Sequence, residues 1–313
     1  MPPFKEVFFF SLLFSALISA PLRLSDEPTP SYFAPRYNQR SMLEAIHPGT
    51  SAPGARIAVF DFDGTISLIR AGWIDIMLSM MLEILTALGT GESESDLRAA
   101  VEPFIWRLTG KDTLYQMIAF AEQVSLRGGT PLDPREYKQQ FLDRLFAVSG
   151  VRIQQLRDHT CPPDHYLVPG TRALLEDLRA RGLRLYLASG TDDLHLKEEA
   201  ALLDVFRYFD GGVYGALPDP EAFSKRILME RILHLPGMRP HYLIGFGDGP
   251  VEIEELKHVG GVAVGVATDE PACRDTSPWK RRNLIDVGAD YIIPNYLCRH
   301  ALLPVLFAEH DSI

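Results

Sequence analysis

Cysteine is scarce in this chain: only Cys161, Cys273 and Cys298, an odd number spread far apart. That excludes a disulfide framework and offers no zinc spacing, so all three read as free thiols. The nine histidines show no H-E-x-x-H or comparable ligand pattern, which leaves them structural roles. Positive charge is also short, with 31 Lys and Arg against 41 Asp and Glu and a formal net charge of −10. An acidic balance of this kind argues against a nucleic-acid partner. The one dense basic run, Lys280-Arg281-Arg282, reads as a solvated turn. No internal repeat is visible. The apolar run from Val7 to Ala20 is shorter than the roughly 20 residues a membrane-spanning helix needs.

Apolar residues, by contrast, are plentiful: 46% of the chain, with aromatics at 10%. This can fill a sizeable core and is inconsistent with global disorder. A length of 313 residues is long for one compact domain and comfortable for two. Residues 1–54 stand apart as an apolar segment and linker. Lys5 precedes the apolar run in the order of a signal peptide, but Ile18 and Pro21 flank Ala20 in a poor cleavage region. Ser25 to Gly54, rich in Pro and Ser, reads as a loose linker. Met42 offers a second possible start of translation. The scattered thiols show no adaptation to an oxidising compartment. A cytoplasmic enzyme is therefore expected, with export or anchoring through residues 7–20 as the alternative, and membrane contact only if that segment is retained.

The most informative run is Ile57-Ala58-Val59-Phe60-Asp61-Phe62-Asp63-Gly64-Thr65. An apolar, β-branched stretch ends in two carboxylates two residues apart, followed by a Gly-Thr turn. Alternation along a strand places such a pair on one side, at the carboxyl edge where open α/β sheets bind ligands. Two acids so close suit a hard metal such as Mg²⁺, or one carboxylate as nucleophile beside another as acid/base. Taken alone, the motif is short enough to be a coincidence, with an Asx-type turn closing a strand as the minority reading.

Further elements follow in order. A helical pattern from Thr171 to Arg181 precedes the strand Leu183 to Ala188, which runs into Ser189-Gly190-Thr191. A hydroxyl and main-chain N–H groups at such a junction can hold a phosphoryl oxygen. Lys225 opens the helical segment to Leu235, an unfavourable place for a cation in the helix dipole. A third strand, Tyr242 to Gly247, ends in Asp248-Gly249-Pro250-Val251-Glu252, where Glu252 could equally be a first-turn acid.

This ordered set resembles the haloacid dehalogenase superfamily, in its helical-cap branch of phosphoglycolate phosphatases and phosphomutases. The resemblance covers roughly Arg56 to Asn295. It implies that Asp61 is the nucleophile and Asp63 the acid/base, with Ser189, Gly190 and Lys225 on the phosphoryl oxygens. It also implies Mg²⁺ held by Asp61, Asp248 and the carbonyl of Asp63, with Glu252 near it. Glu252 departs from the pattern, since many relatives carry Asp there.

The long stretch between Thr65 and Leu183 carries little strand signal. Helices are expected over Trp73–Leu88, Asp96–Leu108, Thr113–Leu126 and Asp133–Val148, with Asp112 a good N-cap and Pro134 suited to a first turn. Further strands are expected at Val262–Val266 and Asp290–Pro294. Strands alternating with helices imply a parallel, doubly wound α/β sheet. The expected division is a core of residues 55–68 and 166–313, with an all-helical cap at 69–165. In the cap branch such an insertion closes over the site, which makes Lys111 the first candidate to contact the leaving group, and Arg70 and Arg107 the next.

The expected activity is Mg²⁺-dependent hydrolysis of a small phosphorylated metabolite through an aspartyl-phosphate intermediate. A phosphomutase is the nearest rival, as is a phosphonate hydrolase if Lys111 forms a Schiff base. A dehalogenase is disfavoured because it needs neither the second Asp nor the metal acids. A phospholigand-binding module without activity is the rival outside enzymes.

Overall fold

The computed structural model describes residues 43–217 and 224–309. The signal-like run 7–20 and Met42 lie outside the described residues. Among the described residues, no helix is long and apolar enough to cross a membrane.

Among the described residues the sheet has seven strands. In chain order they are β1 (Glu44–Ala45), β2 (Ile57–Phe60), β3 (Arg184–Asp192), β4 (Gly212–Ala216), β5 (Leu243–Gly247), β6 (Val262–Val266) and β7 (Tyr291–Ile293). Their spatial order is β1-β7-β6-β5-β2-β3-β4. All pairings are parallel except β1 on β7. The chain leaves β2 toward β3 and β4 on one side, then returns through β5, β6 and β7 on the other. β2 is therefore the switch point, and the crevice beyond its carboxyl end is the place for a ligand.

Period-two alternation sorts each buried strand onto two cores. Ala58, Phe60, Leu185, Leu187, Ile244 and Phe246 face one layer. Ile57, Val59, Tyr186, Ala188 and Leu243 face the other, where Leu228, Met229 and Ile232 pack against them. Because both faces are covered, these strands read as continuous apolar runs rather than alternating ones.

Between β2 and β3 the chain forms four long helices: α1 (Trp73–Thr86), α2 (Glu94–Arg107), α3 (Thr113–Leu126) and α4 (Pro134–Arg157). They share a core of their own, built on Met77, Met80, Met81, Phe104, Phe120 and Phe141. Met77, Met80 and Met81, three methionines on one helix, are thus packing residues. Asp112 caps α3 by accepting from the Leu114 N–H at 2.7 Å. Asp133 caps α4 in a capping box, with Pro134 in the first turn. α4 outruns its expected end at Val148 by continuing to Arg157, where Arg157 pairs with Glu198. Among the described residues six shorter helices follow: α5 (Thr171–Ala180), α6 (Asp193–Leu202), α7 (Lys225–Leu233), α8 (Pro250–His258), α9 (Pro278–Asp286) and α10 (Arg299–Leu306).

Two expectations need correction. The linker reading of Ser25 to Gly54 fails from Leu43 onward: Glu44 and Ala45 pair with Ile292 and Tyr291, and Ala52 is fully buried. Arg281 anchors that segment through Glu44, donating from Nε to Oε2 at 2.7 Å. The run Lys280-Arg281-Arg282 is not a solvated turn either. It lies in α9, and Lys280 is buried.

Candidate active site

The acids emerge where β2 stops. Phe60 is the last strand residue, and the Asp61 N–H continues the ladder by donating to the Phe246 carbonyl at 2.9 Å. Asp61 keeps the alternation of Ile57 and Val59, so its side chain meets the elements that cover their face, α7 and α8. Lys225, the first residue of α7, donates to Asp61 Oδ1 at 2.6 Å and also to Glu252 in the first turn of α8. Burial pushes the Asp61 carboxyl well above the usual aspartate range; Lys225 opposes that shift, and Glu252 and Asp248 add to it. Burial works against charge on Lys225, but Asp61 and Glu252 outweigh it and hold the ammonium above the usual lysine range.

Asp63 does not share this environment, because the chain has left the strand before reaching it. Its Oδ2 accepts from the Thr191 hydroxyl at 2.6 Å. Arg70, buried in the loop after β2, donates from Nη1 to the same hydroxyl oxygen and from Nη2 to Glu199 of α6, each at 2.6 Å. Its Nε lies 3.9 Å from Asp63 Oδ1. Burial pushes Glu199 up to about 7, against the pull of Arg70. Arg70, expected to meet the substrate, is therefore already engaged by Asp63, Thr191 and Glu199.

β3 ends beside β2, and its register against β4 shifts between Ala188 and Asp192. Bulges of this kind re-aim side chains next to sites. Here the shifted stretch carries Ser189, Gly190 and Thr191, with the Ser189 Oγ accepting from the Thr191 N–H at 3.1 Å. On the other flank, β5 delivers Asp248. Gly64, at φ +72°, lies so close that a Cβ there would overlap the Asp248 carboxylate. Lys280 Nζ sits 2.7 Å from Asp248 Oδ2 and also meets Glu270. Burial pushes Asp248 up to about 6, against the pull of Lys280 and with Glu270 adding to the rise.

Part of this set, Thr191 included, lines one open cleft of about 840 Å³, solvent space included, between the sheet edge and the four-helix unit. Of the expected site residues, Asp61, Asp63, Arg70, Lys111, Ser189, Gly190 and Asp248 line it. Lys225 and Glu252 do not; they sit behind Asp61, paired with each other. Glu252, expected near the metal, thus spends Oε1 on Lys225, while its buried Oε2 has no hydrogen-bond partner. Arg107 is exposed near the end of α2 and outside the cleft lining. The tip before α3 comes down over Glu252 through Gly110, at φ +92°, where a Cβ would overlap that carboxylate. Beside it, Trp106 of α2 stacks on Trp279 of α9 with ring centroids 3.3 Å apart.

Thr191, Glu199, Glu270 and Lys280 escaped the sequence reading. Thr191 belongs to the Ser-Gly-Thr run and was within reach. Lys280 carries the same local oddity as Lys225, a cation in a first helical turn. Glu199 and Glu270 offer no local signal.

Among the described residues, no group of three or more His, Cys, Asp or Glu side chains could hold a metal ion by itself. Mg²⁺, however, takes one or two carboxylates and completes its octahedron with water and substrate phosphate. Four carboxylates (Asp61, Asp248, Glu252 and Glu270) meet only two ammonium groups (Lys225 and Lys280), so that with all four ionised two negative charges lack a partner. The donor set and its charge fit a hard divalent cation.

A family model for haloacid dehalogenase-like hydrolases matches residues 55–260. No curated protein matches the sequence. Among solved structures, a predicted phosphoglycolate phosphatase from Haemophilus somnus superposes with a TM-score of 0.52 at 15% identity, covering 80% of this chain and 98% of its own. A conserved haloacid dehalogenase-like protein of unknown function from Agrobacterium tumefaciens gives a TM-score of 0.52 at 18% identity, covering 82% of this chain and 100% of its own. At these identities the likeness is one of fold.

Proposed function

The chain belongs to the haloacid dehalogenase-like hydrolases, and we propose that it is a Mg²⁺-dependent phosphatase that cleaves a small organic phosphate monoester through an aspartyl-phosphate on Asp61. The observation that carries this reading is the division of labour between the two acids. Asp61 is buried against an ammonium group, while Asp63 is tied to a hydroxyl, and both face one cleft. We read residues 69–165 as the cap over a core made of 55–68 and 166–313.

Asp61 attacks phosphorus in line; its new O–P bond forms as the ester O–P bond breaks. Asp63 gives its proton to the departing alkoxide. A water then attacks the acyl phosphate, Asp63 takes the proton of that water, and the Asp61 O–P bond breaks to release inorganic phosphate. For the first step Asp61 must be ionised; Lys225 opposes the effect of burial, which still dominates, and positive charge in the cleft would act in the same direction as Lys225. Thr191 holds Asp63 toward the cleft. We assign the Ser189 hydroxyl and the Gly190 N–H to the phosphoryl oxygens, with Lys225 supplying positive charge behind them. Asp61 and Asp248, with the main-chain carbonyl of Asp63, would hold Mg²⁺, which when bound offsets the charge of the transferring phosphoryl group.

The test is hydrolysis of p-nitrophenyl phosphate with and without Mg²⁺, comparing wild type with Asp61→Asn. Turnover that needs the metal and vanishes in the variant is expected. A wild type as inert as the variant would instead mark a binding module.

A further inference from the structure

The cleft has two unlike halves. Its floor is polar and comes from the ends of β2, β3 and β5. Its roof is apolar on the α4 side: Phe141, Leu142, Leu145 and Phe146 lie at i, i+1, i+4 and i+5 on one face of α4, and Trp73 of α1 joins them, while Thr113 and Gln116 of α3 are the polar neighbours. The Phe146 ring meets the His195 ring of α6 with centroids 5.4 Å apart, so aromatic groups from both sides close the far wall.

The charged residues around this roof are largely committed elsewhere. Lys138, one turn before Leu142, spends its ammonium on both oxygens of Asp112, at 3.1 Å each. Arg70 is bound by Thr191 and Glu199. Among the described residues of the lining, Lys111 is the one lysine or arginine with no acid on it, and it stands exposed at the rim. A second anionic group on the substrate would need a desolvated cation here, and a polyol would need donors and acceptors that this face of α4 does not offer. An apolar ring, in contrast, removes the partly exposed Trp73, Leu142 and Phe146 from water and meets aromatic edges and faces, with the buried Phe141 and Leu145 behind them.

We propose that the leaving group this cleft accepts carries an aromatic ring one or two carbons from the ester oxygen, rather than a carboxylate or a sugar. The proposal rests on the phosphatase reading above and concerns only what lies beyond the phosphorus.

Alkyl esters of similar intrinsic reactivity separate the two claims. Turnover of 2-phenylethyl phosphate is measured against glucose 6-phosphate and phosphoglycolate at one Mg²⁺ concentration, in wild type and in Phe146→Ala. The expected result is a kcat/KM at least about tenfold higher for the phenylethyl ester, the scale on which apolar pockets discriminate, with that ratio reduced in the variant. Equal or better use of glucose 6-phosphate or phosphoglycolate overturns the aromatic assignment while leaving the phosphatase intact. No metal-dependent turnover of any ester overturns both. Binding of benzylphosphonate, which cannot be hydrolysed, gives a second readout through tryptophan fluorescence. It is expected to bind more tightly than phosphonoacetate, and the reverse order counts against the proposal.

Discussion

Replacing Arg70 with Met probes the electrostatics around Asp63 most directly. The guanidinium makes two hydrogen bonds of 2.6 Å, to Thr191 and Glu199, and approaches Asp63 to 3.9 Å. Methionine keeps the apolar stem and deletes the charge. Glu199, only 1% exposed, then has no cation. Breaking a buried pair from one side typically destabilises by about 3–5 kcal/mol. Glu199 has an escape, however, because burial already raises its pKa from 4.5 to about 7 even with Arg70 in place. An acid whose folded-state pKa lies above its unfolded value stabilises the fold at low pH and loses that contribution as pH rises through the folded value. Without Arg70 the folded value climbs further, so the variant holds its proton where wild type releases it.

The cost of Arg70→Met is therefore pH-dependent. At pH 5.5 Glu199 is protonated in both proteins, and the penalty is that of the lost charged hydrogen bonds, about 2 kcal/mol. Above pH 7 it grows by about 1 kcal/mol per pH unit. Urea unfolding at pH 5.5 and 8.0 measures this, and Arg70→Met with Glu199→Leu is expected to recover most of the loss at pH 8.0. In activity assays kcat falls, because Asp63 loses an anchor. If Arg70 bound substrate instead, KM would rise and stability would hold. A penalty that is identical at both pH values, or that stays below about 1 kcal/mol at pH 8.0, would refute the reasoning.

Two further predictions concern the glycine beside Asp248 and the thiols. Gly64→Ala puts a Cβ at φ +72° into the Asp248 carboxylate; displacing that acid by an ångström is expected to cut kcat/KM about 100-fold, with far-ultraviolet circular dichroism unchanged. A variant near wild-type activity would mean that Asp248 is not held where catalysis needs it. Cys273 and Cys298 are buried, with thiols pushed up to about 12 mainly by burial, whereas Cys161 is partly exposed. Ellman's reagent at pH 8 should therefore titrate one thiol quickly in native protein and three after unfolding; three fast thiols would contradict the packing around β7.

The sequence disclosed those parts of the fold that local chemistry encodes. β2, β3 and β5 were visible as apolar runs ending abruptly in reactive side chains, and α1 to α4 as 3.6-residue periodicities, with Asp112 and Pro134 marking the starts of α3 and α4. β4 was hidden because Gly212-Val213-Tyr214-Gly215-Ala216 carries two glycines and little β-branching. β1 was hidden because two residues make no pattern. In the site, the acids and lysines of the motifs were legible individually, but not who pairs with whom. Glu252 reads as a metal acid until Lys225 is seen on it. Arg70 reads as a substrate contact until Glu199, far along the chain, is seen to occupy it. Pairings of this kind depend on long-range burial, which no short window of residues records.

The docked stretch from Leu43 to Gly54 has a practical implication. Its two-residue strand runs against the grain of the sheet along β7, and Thr50 lends its carbonyl to the Tyr291 hydroxyl. A shortened protein starting at the family motif would uncover the hydrogen-bonding margin of β7, three consecutive buried residues of strand-forming type. Bare margins recruit other chains. Trimming this segment would therefore be felt first as self-association and poor recovery, with the chemistry of the cleft untouched.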